Sequence, residues 1–422
     1  MRYIFFLFIT LLFTSCDNCC DSCSEESKKQ FVYDVMHDSY LWADETPILS
    51  EQNISEYKDD EALLKTLRHE TDRFSYIMTK KDHDDFFEAG ISIGFGFYPI
   101  YDLEAENIMP ILVYPDSPAD RVGLKRGDLI ESIDGIKILD FYNSETLHKK
   151  YFVEDEENLT MTLKLRDHRE LTLSKEEFSL KTVLHQSIIE QNSTKIGYLV
   201  FQSFIGTSEK ELEQSFNIFK EEGITELVLD LRYNGGGYVY IANYLALLIG
   251  GDRVQGTIFN QTQYNEKYSH YNEVEYFEQA PQNALNLSRV FIITTDSSCS
   301  ASELVINALK ANSNSVEVIQ VGSATCGKPY GMRGKEYCDK VILPVQFRSV
   351  NGDGEGDYID GIAPTCVSSD DYIRDFGNID EDSLSSALFY IENNQCQKVD
   401  RALKSIKRTE ILTGFRKMYG IY

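Results

Sequence analysis

The sequence predicts a multi-domain α/β protein, and three observations carry that reading. From about residue 183 to 395, apolar runs of strand length alternate with amphipathic helical runs, the signature of parallel βαβ units. From about 85 to 182, short strand-like runs are broken by turns rich in Gly, Asp and Pro. From 29 to 84, apolar residues recur at helical spacing. At 422 residues the chain can fill several cores, and its 42% hydrophobic content is ordinary for a globular protein. Sixty-eight acidic residues against 41 basic ones give a net charge of −27. A surface that acidic repels phosphate backbones and argues against a nucleic-acid partner.

Taking the segments in order, "MRYIFFLFITLLFTSC" sets Arg2 before an apolar run over residues 3–13. About 20 apolar residues are needed to span a bilayer, so this shorter run reads as a signal peptide over 1–15. Thr14-Ser15-Cys16 resembles the lipobox of bacterial lipoproteins, with Phe13 where Leu is usual. The resemblance implies a lipid on Cys16, a tether over 16–28, and attachment to a bacterial membrane at its periplasmic face or the cell surface. Plain secretion with cleavage nearby is the alternative. Outside the cytoplasm cysteines pair, and Cys326 with Cys338 is the pair to test first, although spacing does not fix connectivity. A zinc site in "CDNCCDSC" lacks the histidine or second CxxC pair that would complete it. No metal is expected.

In the helical unit (29–84), "KKQFVYDVMHDSYLW" and "DDEALLKTLRHE" space their apolar residues helically, and Trp42 is the expected anchor. No catalytic pattern lies there. In the next segment, "PDSPADRVGLKRGDLIESIDG" runs from a Pro-flanked turn through a short helix ending at Gly123 to a strand bracketed by "GD" and "DG" turns. This piece resembles the core of a PDZ domain, here 85–182. Such domains add an extended chain end as a strand and hold its carboxylate with loop amides. The resemblance assigns that loop to "GISIGFGF", with Ile93, Gly94, Phe95 and Gly96 as the binding residues. The same stretch contains Gly90-Ile91-Ser92-Ile93-Gly94, a match to the G-x-S-x-G nucleophile elbow. An elbow needs a helix after the serine, and no helical run follows Ser92.

From 183 onward, "KIGYLVFQSF", "TELVLDL", "RVFIITT" and "SVEVIQVG" read as strands, separated by three helices. With right-handed crossovers all strand-to-helix loops leave one sheet edge, where α/β proteins bind ligands. Three of those loops carry unusual chemistry: "RYNGGG", "DSSCSAS" and "SATCGKPYG". Glycines let backbone N–H groups approach an oxyanion, and a serine at a helix start is rigid and near positive dipole. A lysine can take the serine proton once burial makes it neutral. Each feature has a plainer reading. Ser300 and Glu303 form an S-x-x-E capping box, the glycines could be a turn, and Lys328 could be a surface residue. Their coincidence on three parallel loops favours catalysis.

"LVLDLRYNGGG", "SSCSASELVINALK" and "GSATCGKPYG" resemble the signature blocks of the C-terminal processing, or tail-specific, serine proteases. The likeness covers roughly residues 30–395 and includes "DGIAPTC". It implies a ClpP/crotonase-like peptidase core over 183–395, preceded or interrupted by the PDZ domain, with no cofactor. It assigns Ser300 as nucleophile, Lys328 as base, and the amides of Gly236 and Ala301 as the oxyanion hole, leaving Ser297, Ser298 and Ser302 as support. Three departures stand out: Cys299 precedes the nucleophile, Met332 replaces a helper glutamine, and Ser300 and Lys328 are unusually far apart in sequence.

Two further matches are decoys. "NGDGEGDYIDGI" ends on Ile362 where an EF-hand loop needs Glu, and Ser55-x-x-Lys58 lacks its β-lactamase companions. His185 and His270 sit in no distinctive block, so a Ser–His–Asp triad has little support. The expectation is an extracytoplasmic serine endopeptidase acting on protein or peptide substrates with accessible C-termini. The alternative is a catalytically inactive peptide- or apolar-ligand-binding lipoprotein on the same fold. The last segment, 396–422, is expected to be helical.

Overall fold

The computed structural model describes residues 23–152, 157–311, 313–398 and 408–410. The leader, Cys16, Cys19 and Cys20 lie outside the described residues.

Helices Glu25–Asp38, Glu51–Ser55 and Asp60–Leu67 open the described chain. Each starts on a side-chain cap, from Ser24, Ser50 and Asp59 respectively. Their apolar stripes bury Val35, Met36, Leu63 and Leu67, but the same cluster includes Ile342 and Val345 from far down the chain. The helical unit therefore completes its core on the region beyond residue 183 rather than standing apart. Trp42 stacks on His69 and meets Tyr330 edge-on, which carries the unit's aromatic face towards the loop after Gly322.

In the second unit, strands Phe97–Asp102, Asn107–Val113, Ile130–Ile133, Thr160–Leu165 and Glu170–Ser174 form an antiparallel sheet. The short helix Pro118–Arg121 is capped by Ser117. Ile91–Gly94 pairs separately with Glu176–Ser179. Ser92 therefore lies in a strand followed by a turn and another strand, so it has none of the elbow's surroundings.

The third unit, from residue 183, is built on a six-stranded sheet. We number its strands β1 (Val183–Gln191), β2 (Thr194–Phe201), β3 (Glu226–Asp230), β4 (Arg289–Thr294), β5 (Glu317–Gly322) and β6 (Cys366–Val367). Its helices are α1 (Ser208–Glu222), α2 (Val239–Gly250), α3 (Ala301–Lys310) and α4 (Asp382–Asn393). The strands lie in chain order; β1 is antiparallel to β2, and every pair from β2 to β6 is parallel.

Successive strand residues point to opposite faces. Leu227, Leu229, Val290 and Ile292 face α1, α2 and α3. Val228, Phe291, Ile293, Ile319 and Val321 face Leu384, Ala387 and Leu388 of α4. Both faces are covered, which is why these strands read as nearly continuous apolar runs. The loops after β3, β4 and β5 leave the same edge.

Two expectations are corrected. Cys326 does not pair with Cys338; the bonds are Cys299–Cys326, Cys23–Cys338 and Cys366–Cys396. Chain order misled here, because parallel packing brings the β4 and β5 loops together. The one described piece beyond residue 398, Arg408–Glu410, is a strand rather than a helix, antiparallel to Ile100–Asp102. The outer strand of the second unit offers unpaired backbone groups, and pairing them outweighs a weak helical pattern.

Candidate active site

β4 ends at Thr294, and the chain turns through 295–299 before α3 begins. The serines of this turn divide by what they bond. Ser298 Oγ donates to Leu231 O at 2.8 Å and accepts from Thr295 N. Ser302 Oγ donates to Asn234 O at 3.0 Å. Both tie the serine turn to the glycine loop after β3. Ser300 stands at the N-cap of α3 with φ 55° and ψ −110°. L-residues avoid this region, and holding one there costs about 1–3 kcal/mol, a strain that clusters at functional sites. Glu303 closes back on it, accepting Ser300 N at 2.9 Å. Half-buried, Ser300 lines a cavity of about 490 Å³.

The glycine loop forms the adjoining wall. A Cβ on Gly236 would stand 2.8 Å from Ser300 Cβ and 2.9 Å from Ala301 N, so only glycine permits this approach. The Gly236 N–H donates to Asn234 Oδ1 at 2.9 Å. Among the described residues no acceptor engages Ala301 N–H, the first amide of α3. Ala301 therefore offers a donor as the structure stands, whereas Gly236 first has to release Asn234.

Lys328 follows β5 and lines the same cavity. Its Nζ lies 3.8 Å from Met332 Sδ and 5.4 Å from the Phe74 ring centroid. Burial lowers its pKa to about 8, against Asp72 and Glu303, which pull it up. Among the described residues no hydrogen bond joins Ser300 Oγ to Lys328 Nζ. What joins their loops is Glu303, fully buried, whose carboxylate accepts Thr325 Oγ1 at 2.6 Å, Gly327 N at 2.7 Å and Lys328 N at 2.8 Å. Burial raises the Glu303 pKa and these donors lower it.

Sequence reasoning missed several participants. Asp72, Phe74 and Tyr330 bring the helical unit against the lysine. Arg73 caps Cys326 O in the base's own loop. His83 also reaches the cavity wall, its ring against Phe87 and its Nδ1 3.1 Å from Asp84. His185 bonds Ser187 at 3.2 Å and does not line the cavity. Below the loops, Arg232 is fully buried between Asp230, Glu381 and Asp370. Arg126 of the second unit joins this network, 3.6 Å from Asp370 and 3.3 Å from the hydroxyl of Tyr233, which belongs to the glycine loop. The "LVLDLRYNGGG" block holds part of this network but does not show its pairing, because the members come from four separate segments.

A second cleft of about 130 Å³ is lined by Ile93, Gly94, Phe95 and Gly96, with Tyr98, Phe178 and Lys175 opposite. Ile93 and Gly94 belong to a strand, while Phe95 and Gly96 make the turn that follows. The buried Lys175 lies 5.6 Å from the Phe95 ring.

A PDZ unit beside an α/β core with a serine, a lysine and a glycine loop on one edge defines a class, and profile comparisons agree. Residues 195–368 match Peptidase family S41, 27–76 match the Peptidase S41 N-terminal domain, and 112–148 match the PDZ domain. Residues 195–368 thus carry a peptidase family S41 domain. It is 23% identical over 362 residues to the "Probable CtpA-like serine protease" of Staphylococcus haemolyticus, covering 83% of this chain and 66% of that protein. It is 25% identical over 245 residues to the "Carboxyl-terminal-processing protease" of Picosynechococcus sp., covering 57% and 55% respectively. The chain thus spans less than two thirds of either relative. A crystal structure of a protein assigned to the S41 proteases, from Bacteroides fragilis, superposes with a TM-score of 0.72 at 24% identity. That match covers 86% of this chain and 97% of the other, and it shows the fold.

Proposed function

We propose that this chain is an extracytoplasmic, lipid-anchored serine endopeptidase with a Ser300–Lys328 dyad. Ser300 Oγ attacks a peptide carbonyl while neutral Lys328 takes the hydroxyl proton. The oxyanion accepts hydrogen bonds from Ala301 N–H and from Gly236 N–H once Asn234 Oδ1 lets go. Protonated Lys328 then donates to the departing amine, leaving an acyl-enzyme on Ser300. Water attacks the ester, with Lys328 again as base, and frees the acid product. The PDZ unit recruits unfolded or tagged proteins by their chain ends, taking the terminal carboxylate near Phe95 and Gly96 with Lys175 as countercharge. Cys16 carries the lipid.

The observation that carries this reading is the pairing, on one cavity, of a serine in a strained helix-entry turn with a half-buried lysine depressed to about 8. Incubation with dye-labelled casein tests it. The wild type is expected to release fragments, whereas Lys328→Ala loses about 10²–10⁴-fold and Ser300→Ala about 10⁶-fold in kcat. His83→Ala is expected to retain activity. Saturable casein binding without fragments in the wild type would instead support a non-catalytic binder.

A further inference from the structure

We propose that the Cys299–Cys326 disulfide is a positioning clasp for the Ser300–Lys328 pair, so that its reduction switches acyl transfer off. The proposal rests on the peptidase reading above.

Cys299 immediately precedes the nucleophile, and Cys326 lies two residues before the base. They sit on different loops, after β4 and β5, and among the described residues their bond is the one disulfide between the two. Backbone contacts seat each half: Cys299 N donates to Asn234 O at 2.9 Å, and Cys326 N donates to Ser298 O at 3.0 Å. The Cys299 carbonyl also lies against Gly236, so the bond anchors the floor of the oxyanion loop. Cys326 Sγ stands 3.5 Å from Glu303 Oε2, the carboxylate that gathers Ser300 N and Lys328 N.

Such support matters because the dyad has no hydrogen bond of its own here. Its alignment is inherited from the loops, and a misplacement of about 1 Å costs about 10²-fold in rate. Ser300 is also held in a backbone conformation that persists only where its surroundings fix it. The other two disulfides, Cys23–Cys338 and Cys366–Cys396, touch neither catalytic loop and serve as controls.

The switch needs an external dithiol. Its thiolate attacks Sγ of Cys326, the less buried residue of the pair, forming a mixed disulfide and releasing the Cys299 thiolate, which takes up a proton. The second thiolate then closes the reagent's own disulfide and frees Cys326. The dithiol loses two electrons, and the protein gains two thiols.

The test uses the full-length protein, titrated with dithiothreitol and trapped with iodoacetamide. Mass spectrometry reads the redox state of each cysteine pair, and a fluorophosphonate probe reads acylation of Ser300. Labelling is expected to fall at least about tenfold in step with Cys299–Cys326 reduction. On casein, kcat should fall with KM within about twofold, and the acid limb of kcat/KM should move up towards the lysine's ordinary value as its loop opens to water. The Cys299→Ala/Cys326→Ala variant should show that loss without reductant. Cys366→Ala/Cys396→Ala and Cys23→Ala/Cys338→Ala should keep the wild-type sensitivity. If the clasp variant fails to fold, graded reduction of the wild type decides, with circular dichroism reporting the fold. Unchanged kcat and pH limb in the reduced enzyme, even at a lower Tm, would overturn the clasp, as would a loss tracking another pair. Oxidised wild type that neither labels nor cleaves would overturn the peptidase reading instead.

Discussion

At Lys328 burial and charge oppose each other, and their balance sets the protonation state on which the proposed mechanism depends. Desolvation favours the neutral amine, while Asp72 and Glu303 favour the ammonium, leaving a pKa near 8. The neutral form is the base, so kcat/KM should rise with pH and level off above about 8. Asp72→Asn removes a charge that supports the ammonium and should move this limb to lower pH. Met332→Glu places a carboxylate beside Nζ, now 3.8 Å from the thioether, and should move it higher. Lys328→Arg keeps a cation that cannot deprotonate, and should lose about 10²–10⁴-fold in kcat at every pH. Profiles measured on casein check all three signs.

Among elements, the β-strand edge and the helix start were the most legible in sequence. Apolar runs with the right spacing announced β2 to β5, and the Ser300–Glu303 spacing announced the start of α3. Glu303 nevertheless does more than cap: it gathers the base's loop through Gly327 N and Lys328 N. A local pattern cannot show that, because the second loop lies 24 residues away. The disulfide pairing failed for the same reason. Gly236→Ala should lower kcat by at least about 10²-fold and shift the local backbone, since its Cβ would crowd Ser300 and Ala301 N at a positive φ. Lys175→Gln should weaken binding of a peptide with a free C-terminal carboxylate but not of its amidated form, by isothermal titration. Arg408–Glu410 occupies the outer strand on which an extended ligand would add. Truncation after residue 398 should therefore tighten peptide binding to the PDZ unit.

Across the whole molecule, buried charge ties the units together. Arg232 is fully enclosed by Asp230, Asp370 and Glu381, and Arg126 extends the network into the PDZ unit. Arg232→Ala would strand three carboxylates and should cost about 3–5 kcal/mol in urea unfolding. Asp230 and Arg232 lie in the "LVLDLRYNGGG" block and Arg126 in the PDZ-like block, but neither block marked them as partners across units. The helical unit was equally silent about Asp72 and Phe74, whose importance comes only from where the unit docks. Fold class and the family's signature blocks were legible because they are local; the environment around Lys328 was not. The account stands on a neutral Lys328 activating Ser300, and the pH dependence of fluorophosphonate labelling tests this most directly. The rate should climb to a plateau with its midpoint near 8, with the adduct on Ser300. A flat profile, a midpoint near 6.5 that vanishes in His83→Ala, or an adduct on another serine would contradict it.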